Sequence, residues 1–188
     1  MTYRIVGFSG SLGVPSKTRA LVDLALAKAS ARFGVSAESY DMAELLPSLI
    51  TEAGGQGALN AAGRAIIAKI ISADALVVGS PVYKGSYTGL FKHVFDLLDP
   101  QDLAGKPVLL TATGGGDKHA LVIEHHLRPL FGFFEAATLA TGIYAGASDF
   151  TGGKPASPAL LSRLDRAVDQ LSPWLGRQNA EPLTIAAE

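Results

Sequence analysis

Short apolar runs alternate with longer segments of helical period along the whole chain, and this alternation restricts the folds open to it. Ile5-Val6-Gly7-Phe8 ends in a Gly/Ser cluster, as a buried strand does. From Ser16 to about Phe33, Leu21, Leu24, Ala25, Ala29 and Phe33 recur at helical spacing, and Gly34 supplies a stop. A weaker strand follows at Val35–Tyr40, and Asp41–Gly57 reads mostly as loop with a short helical turn. Leu59, Ala62, Ile66, Ile67, Ile70 and Ile71 mark a second helix. Ala75–Gly79 is the clearest strand, bounded by Ser80-Pro81. Leu90–Leu98 reads as helix, Pro107–Thr111 as strand, His119–Phe134 as helix and Leu139–Tyr144 as the final strand. Leu160, Leu161, Leu164, Val168, Leu171 and Leu175 define the last helix.

Strands alternating with helices point to a parallel sheet with helices on both faces, a three-layer α/β sandwich. Five strands favour the doubly wound, flavodoxin-like order 2-1-3-4-5 over a barrel, which needs about 250 residues. With 188 residues and about 150 per domain, one domain is expected over 1–176. A tail without periodicity follows at 177–188.

Composition narrows function by exclusion. The chain has no cysteine, so disulfides, thiolate metal sites and a Cys nucleophile are excluded. Sixteen Lys+Arg against 17 Asp+Glu give a net charge of −1, without the basic excess that nucleic acid or an anionic membrane would attract. No uninterrupted apolar stretch approaches the ~18 residues of a membrane span, and the N-terminus lacks a signal-peptide hydrophobic region. A cytoplasmic protein is expected. Charged residues make up only 18 % and mean hydropathy is +0.26, which suggests surface buried in a homodimer or homotetramer. Phe91–Leu98 and the helix around His125 are the candidate interfaces.

Three polar, glycine-rich segments follow the first, third and fourth strands directly: Ser9–Thr18, Ser80–Tyr87 and Thr113–Asp117. In the order 2-1-3-4-5 these strands are neighbours, and ligands sit at their carboxyl ends beside the switch point. The segments therefore converge on one crevice. In the first, Ser9, Ser11, Ser16, Lys17 and Thr18 bring hydroxyls and a cation to the start of a helix, a place that favours phosphate. An N-cap alone needs one hydroxyl. Gly7, Gly10 and Gly13 have the wrong spacing for a dinucleotide fingerprint, and Ser11 and Ser16 replace both P-loop glycines, so a monophosphate fits better. In the second segment Pro81, Val82 and Tyr83 offer a wall for a flat ring. The third supplies backbone N–H groups.

The motifs G-S-x(4)-S-K-T, S-P-x-Y-x-G-S-x-T-G-x-x-K-x-x-x-D and T-G-G-G resemble those of NAD(P)H-dependent FMN reductases. Within these, the chain is most similar to the flavin reductases that serve two-component alkanesulfonate and methanesulfonate monooxygenases. The resemblance runs from Ile5 to about Trp174. It implies that Ser9, Ser11, Ser16, Lys17 and Thr18 hold the FMN phosphate. Pro81, Val82, Tyr83 and Lys84 would edge the isoalloxazine and ribityl chain, and Thr113, Gly114, Gly115, Gly116 and Asp117 would close the other side. NADPH or NADH would be co-substrate, and reduced FMN would pass to an FMNH2-dependent monooxygenase. Hydride transfer is then the cofactor's chemistry and requires no catalytic side chain. A quinone or azo-dye reductase, a flavodoxin-type electron carrier and a flavin-binding regulatory module are the other readings. Arg19, Lys84 and Lys118 could each discriminate a 2′-phosphate.

His125 and His126 are adjacent and so face different sides of a helix, which argues against a shared metal. The resemblance implies an extra residue here, a π-bulge at a tetramer interface, with one of these histidines where the alkanesulfonate enzyme has tyrosine. Such bulges often mark functional sites.

Overall fold

The computed structural model describes residues 2–49 and 59–176. The expected loop beyond Leu49 and the tail at 177–188 lie outside the described residues. A parallel sheet forms the middle layer, in the order β2-β1-β3-β4-β5, with β6 also paired to β4. Its members are β1 (Arg4–Ser9), β2 (Ser36–Asp41), β3 (Ala75–Pro81), β4 (Pro107–Thr113), β5 (Ala137–Thr138) and β6 (Ile143–Ala145). β3 and β4 are buried along their whole length, as central strands covered on both faces must be. This is the flavodoxin-like arrangement.

Two hydrophobic clusters occupy the two faces. On one, α1 (Lys17–Phe33), α6 (Pro158–Asp169) and α7 (Ser172–Leu175) pack Leu21, Val22, Leu164 and Leu171 against Ile5, Val77 and Leu109. On the other, α2 (Met42–Leu49), α3 (Ala61–Ser72), α4 (Gly89–Asp96) and α5 (Arg128–Phe133) cover Val6, Phe8, Leu76 and Leu110. Phe91, Val94 and Phe95 of α4 are at most 1 % exposed, so the expected interface at Phe91–Leu98 is corrected: its apolar face is this chain's own core.

α1 lies close to the sheet because two strand positions lack a side chain. A Cβ on Gly7 would meet Leu26 Cδ1 at 2.6 Å, and one on Gly79 would meet Val22 Cγ2 at 2.7 Å. The helix starts and stops as its sequence indicates. Ser16 accepts from Arg19 N, and Gly34 closes the other end in the left-handed region at φ 67°.

Four expectations are corrected. Residues 42–49 form α2 rather than loop, because Met42 and Leu45 are buried and the Asp41 carboxylate accepts from Glu44 N. The single helix expected over His119–Phe134 is three pieces: a 3₁₀ turn at Asp117–His119, a π-helix at Ile123–Leu127, then α5. Arg128 N donates to Ile123 O in the π register, and Pro129, which has no N–H, stands at the junction. The last helix restarts as α7 at Ser172-Pro173. The strand expected over Leu139–Tyr144 is split into β5 and β6.

Side chains from distant helices make that split tolerable. Arg128 donates to Leu139 O at 3.0 Å and Ala140 O at 3.3 Å, Arg163 to Gly142 O at 2.9 Å, and Thr141 N donates to Gln170 at 3.0 Å. The carbonyls of Leu139, Ala140 and Gly142 and the N–H of Thr141, lost from the ladder, thus keep partners. Arg128→Leu is expected to cost about 1–2 kcal/mol, the penalty for partly buried carbonyls left unpaired. Urea unfolding would measure it, with faster amide exchange at β5 and β6.

Candidate active site

β1, β3 and β4 end side by side, with Ser9 level with Gly79 and Pro81 level with Thr113. The three polar segments leave the sheet from this one edge. Direct bonds tie them together. Gly10 N donates to Gly79 O at 2.7 Å, the Thr18 and Thr113 hydroxyls meet at 2.7 Å, and Val82 N donates to Thr113 O at 2.8 Å.

In the first segment Ser9 is fully buried and Ser11 nearly so. Ser11 Oγ accepts from Gly13 N at 3.2 Å, and Ser16 Oγ from Arg19 N at 3.1 Å. A hydroxyl that only accepts still has its proton to give. The N–H groups of Lys17 and Thr18 open α1 and lack intrahelical acceptors. Lys17 is exposed, its ammonium 5.3 Å above the centre of the Phe150 ring. Thr18 and Ser9 lie beneath the loop: Thr18, 2 % exposed, ties it to Thr113, and Ser9 Oγ accepts from Ser11 N at 3.5 Å.

Arg19 is occupied elsewhere. It bonds Asp23 at 3.0 Å, Asp41 at 2.9 Å, Glu44 at 3.1 Å and Ser39 O at 3.1 Å. Burial opposes its charge, but bonds to Glu44 and Asp23 and the charge of Asp41 prevail and raise its pKa. Of the three bases that could greet a 2′-phosphate, Lys84 and Lys118 are the exposed ones.

The second segment folds back on itself. Pro81 ends β3 in the buried layer, and Tyr83 and Ser86 exchange bonds of 2.9 and 3.2 Å. Between them Lys84 at φ 53° and Gly85 at φ 86° turn through the left-handed region, the geometry of a type I′ turn. Lys84 is a strained choice there, and strain of this kind gathers at ligand sites. Tyr83 projects from the turn, 63 % exposed. Thr88 secures the far end: its N–H donates to Ser80 Oγ at 3.2 Å, while its hydroxyl donates to Gly10 O at 3.4 Å and accepts from Phe91 N to cap α4. His126 of the π-helix reaches this segment as well, with Nδ1 3.2 Å from Ser86 Oγ and its ring edge-on to Tyr87. The structure places the exposed His125 in the same π-helix without a tie of that kind to the segment.

The third segment is held by Tyr144 on β6. Its hydroxyl donates to Gly116 O at 2.5 Å, and a Cβ on Gly114 would strike it at 2.2 Å. Gly114 N donates to Ala145 O at 3.1 Å. Gly115 and Asp117 are exposed at the mouth. Burial first, then the carboxylates of Asp117 and Asp149, raise the Tyr144 pKa. Its stabilising bond is therefore complete below the ordinary phenol range and is lost as pH rises through the raised value. Tyr144→Phe is expected to cost about 0.5–1.5 kcal/mol, seen in thermal melts at neutral pH. The wild-type advantage should disappear in strongly alkaline solution.

Gly10, Leu12, Tyr83, Thr88, Gly89 and Leu90 enclose a cleft of about 460 Å³ between the first two segments. That volume lies within the range of small-molecule sites. Its apolar lining suits a flat ring, and the serine hydroxyls, first-turn N–H groups and Lys17 suit a phosphate at its end. A cofactor with both parts, as FMN is, fits these residues. Thr88 and Tyr144 were absent from the expected site. A Thr three residues before Phe91 N is a legible cap, whereas nothing local marks Tyr144.

The chain is similar to known flavin reductases in sequence and fold. The NADPH-dependent FMN reductase family profile matches residues 3–151. The chain is 44 % identical over 170 residues to the NADH-dependent FMN reductase SfnF of Pseudomonas putida, covering 90 % of this chain and 91 % of that one. It is 40 % identical over 187 residues to the FMN reductase (NADPH) of Pseudomonas aeruginosa, covering 98 % of each. The crystal structure of the apo NADH:FMN oxidoreductase EMOB superposes with a TM-score of 0.82 at 32 % identity, covering 96 % of this chain and 92 % of that one. The chain belongs to the NADPH-dependent FMN reductase family.

Proposed function

We propose that the carboxyl edge of the sheet binds FMN for reduction by NAD(P)H, and that reduced FMN leaves for an FMNH2-dependent monooxygenase, in sulfonate desulfonation. The observation that carries the site is the convergence of three segments cross-tied by Thr18–Thr113, Val82–Thr113 and Thr88–Gly10. Ser11, Ser16 and Lys17 take the phosphate, with Thr18 contributing its N–H and the buried Ser9 supporting the loop through Ser11 N. Pro81, Val82, Tyr83 and Lys84 flank the ring and ribityl chain. Gly114, Gly115, Gly116 and Asp117, anchored through Thr113, close the other side.

When bound, FMN supplies a ring nitrogen that accepts hydride from reduced nicotinamide. The protein's task is placement. The ties across the three segments hold the ring's surroundings rigid, so that binding energy goes into orientation. Tyr83, exposed on its turn, shields the open face from water. The phosphate end supplies positive potential from Lys17 and the α1 dipole.

Family membership and the two FMN reductase relatives support the redox reaction. The monooxygenase partner, a homodimer or homotetramer and a cytoplasmic setting belong to this proposal. No helix among the described residues is long and apolar enough to cross a membrane. Leu121 and Phe133, 63 and 68 % exposed on either side of the π-helix, are the apolar positions a second copy would cover. Steady-state kinetics with FMN as the varied component test the hand-over. Saturable dependence on added FMN, with colourless protein after gel filtration, is expected. Yellow protein that turns over quinone without added FMN would favour the quinone reductase reading.

A further inference from the structure

The expected site contained nothing from the segment after β6. That segment nevertheless returns to the same edge of the sheet, since Ala145 lies level with Thr113. A 3₁₀ turn at Ala147–Asp149 leads into a hairpin of β7 (Phe150–Thr151) and β8 (Lys154–Pro155). Gly152 and Gly153 form its tip at φ 57° and 79°, the two positive values a two-residue type I′ hairpin requires. Asp149 fixes the entry: its carboxylate accepts from Gly146 N at 2.8 Å and its carbonyl from Ala156 N at 2.8 Å. Phe150 is thereby held half-buried against the cluster beneath α1.

Its ring carries the Lys17 ammonium at 5.3 Å, inside the roughly 6 Å over which an aromatic quadrupole attracts a cation. Arg19, Lys28, Lys69, Lys92 and Arg128 each hold a carboxylate. Among the described residues Lys17 holds none. The difference matters chemically. A carboxylate would fix the lysine by cancelling its charge, whereas an aromatic face fixes it and leaves the charge and its N–H donors for an anion. A free lysine loses rotamer freedom when a ligand captures it; one already seated on a ring has lost it beforehand.

We infer that Phe150 is a positioning residue for the phosphate end of the site, holding Lys17 extended at the start of α1. This rests on reading the first segment as the FMN phosphate site. The test compares FMN with riboflavin, which lacks the phosphate, by fluorescence titration of wild type, Phe150→Leu, Phe150→Tyr and Lys17→Ala. Phe150→Leu keeps apolar packing and removes the ring; it should weaken FMN about two- to fivefold and leave riboflavin unchanged. Phe150→Tyr should retain wild-type FMN affinity. In a Lys17→Ala background, Phe150→Leu should have no further effect. Equal weakening of both flavins in Phe150→Leu, or unchanged FMN affinity, would overturn the inference while Lys17→Ala still separates the two flavins. If Lys17→Ala itself leaves the FMN-to-riboflavin ratio unchanged, the phosphate reading fails and the inference with it.

Discussion

Phe91→Ala is expected to lower the free energy of unfolding by about 3–5 kcal/mol, the range for truncating a fully buried phenylalanine. Phe91 is fully buried and joins Phe8, Phe95 and Tyr87 through ring contacts of 6.2, 4.9 and 5.9 Å. The loss should exceed a simple cavity term in one respect. A Cβ built on Gly10 would lie 2.6 Å from the Phe91 ring, so the ring is the floor on which the first segment turns. Thr88, which bonds Gly10 O, also caps the helix that carries Phe91. FMN affinity should therefore fall along with stability. Denaturant unfolding would measure the first effect and flavin titration the second.

Lys17→Ala is expected to weaken FMN binding by about 1–3 kcal/mol, the range for hydrogen bonds to charged groups. In affinity that is on the order of ten- to a hundredfold. Stability should change little, because Lys17 is exposed and its ammonium lies over the Phe150 ring with no carboxylate partner among the described residues. Riboflavin should bind the variant as it binds wild type. Raising the salt concentration should narrow the gap between the two proteins for FMN, since part of the term is screened charge. An equal loss for both flavins would place Lys17 at the ring rather than the phosphate.

The parts of the fold legible in sequence are those that local pattern determines. β3 and β4 are continuous apolar runs because both faces are covered, and α1 carries its own cap at Ser16 and stop at Gly34. The parts that were not legible depend on distant partners. α2 exists because Met42 and Leu45 find the core and Asp41 caps it, in a stretch that contains Pro47. The last strand reads as continuous, yet Arg128, Arg163 and Gln170 make its interruption affordable. The hairpin of β7 and β8 carries its own local signal, Gly152-Gly153 between two short extended pieces.

The site divides in the same way. Its three segments could be read because each follows a strand and carries glycines or hydroxyls. Its ties could not. Thr18 has the composition of a phosphate ligand, and only the fold shows its hydroxyl turned down to Thr113. Tyr144 and Phe150 come from an edge strand and a hairpin far along the chain, and their residue types announce nothing. Arg19 has the charge to greet a 2′-phosphate, yet its guanidinium is occupied by Asp23, Asp41 and Glu44.

The central claim is that the carboxyl edge is built for a flavin carrying one phosphate, reduced there by a nicotinamide. Its most direct test is NADH and NADPH oxidation by the purified protein with FMN, FAD or riboflavin added in turn. FMN should give the highest kcat/KM, and riboflavin should lose mainly through a raised KM. Equal kcat/KM for FMN and riboflavin, or no oxidation of either nucleotide with FMN present, would contradict the account.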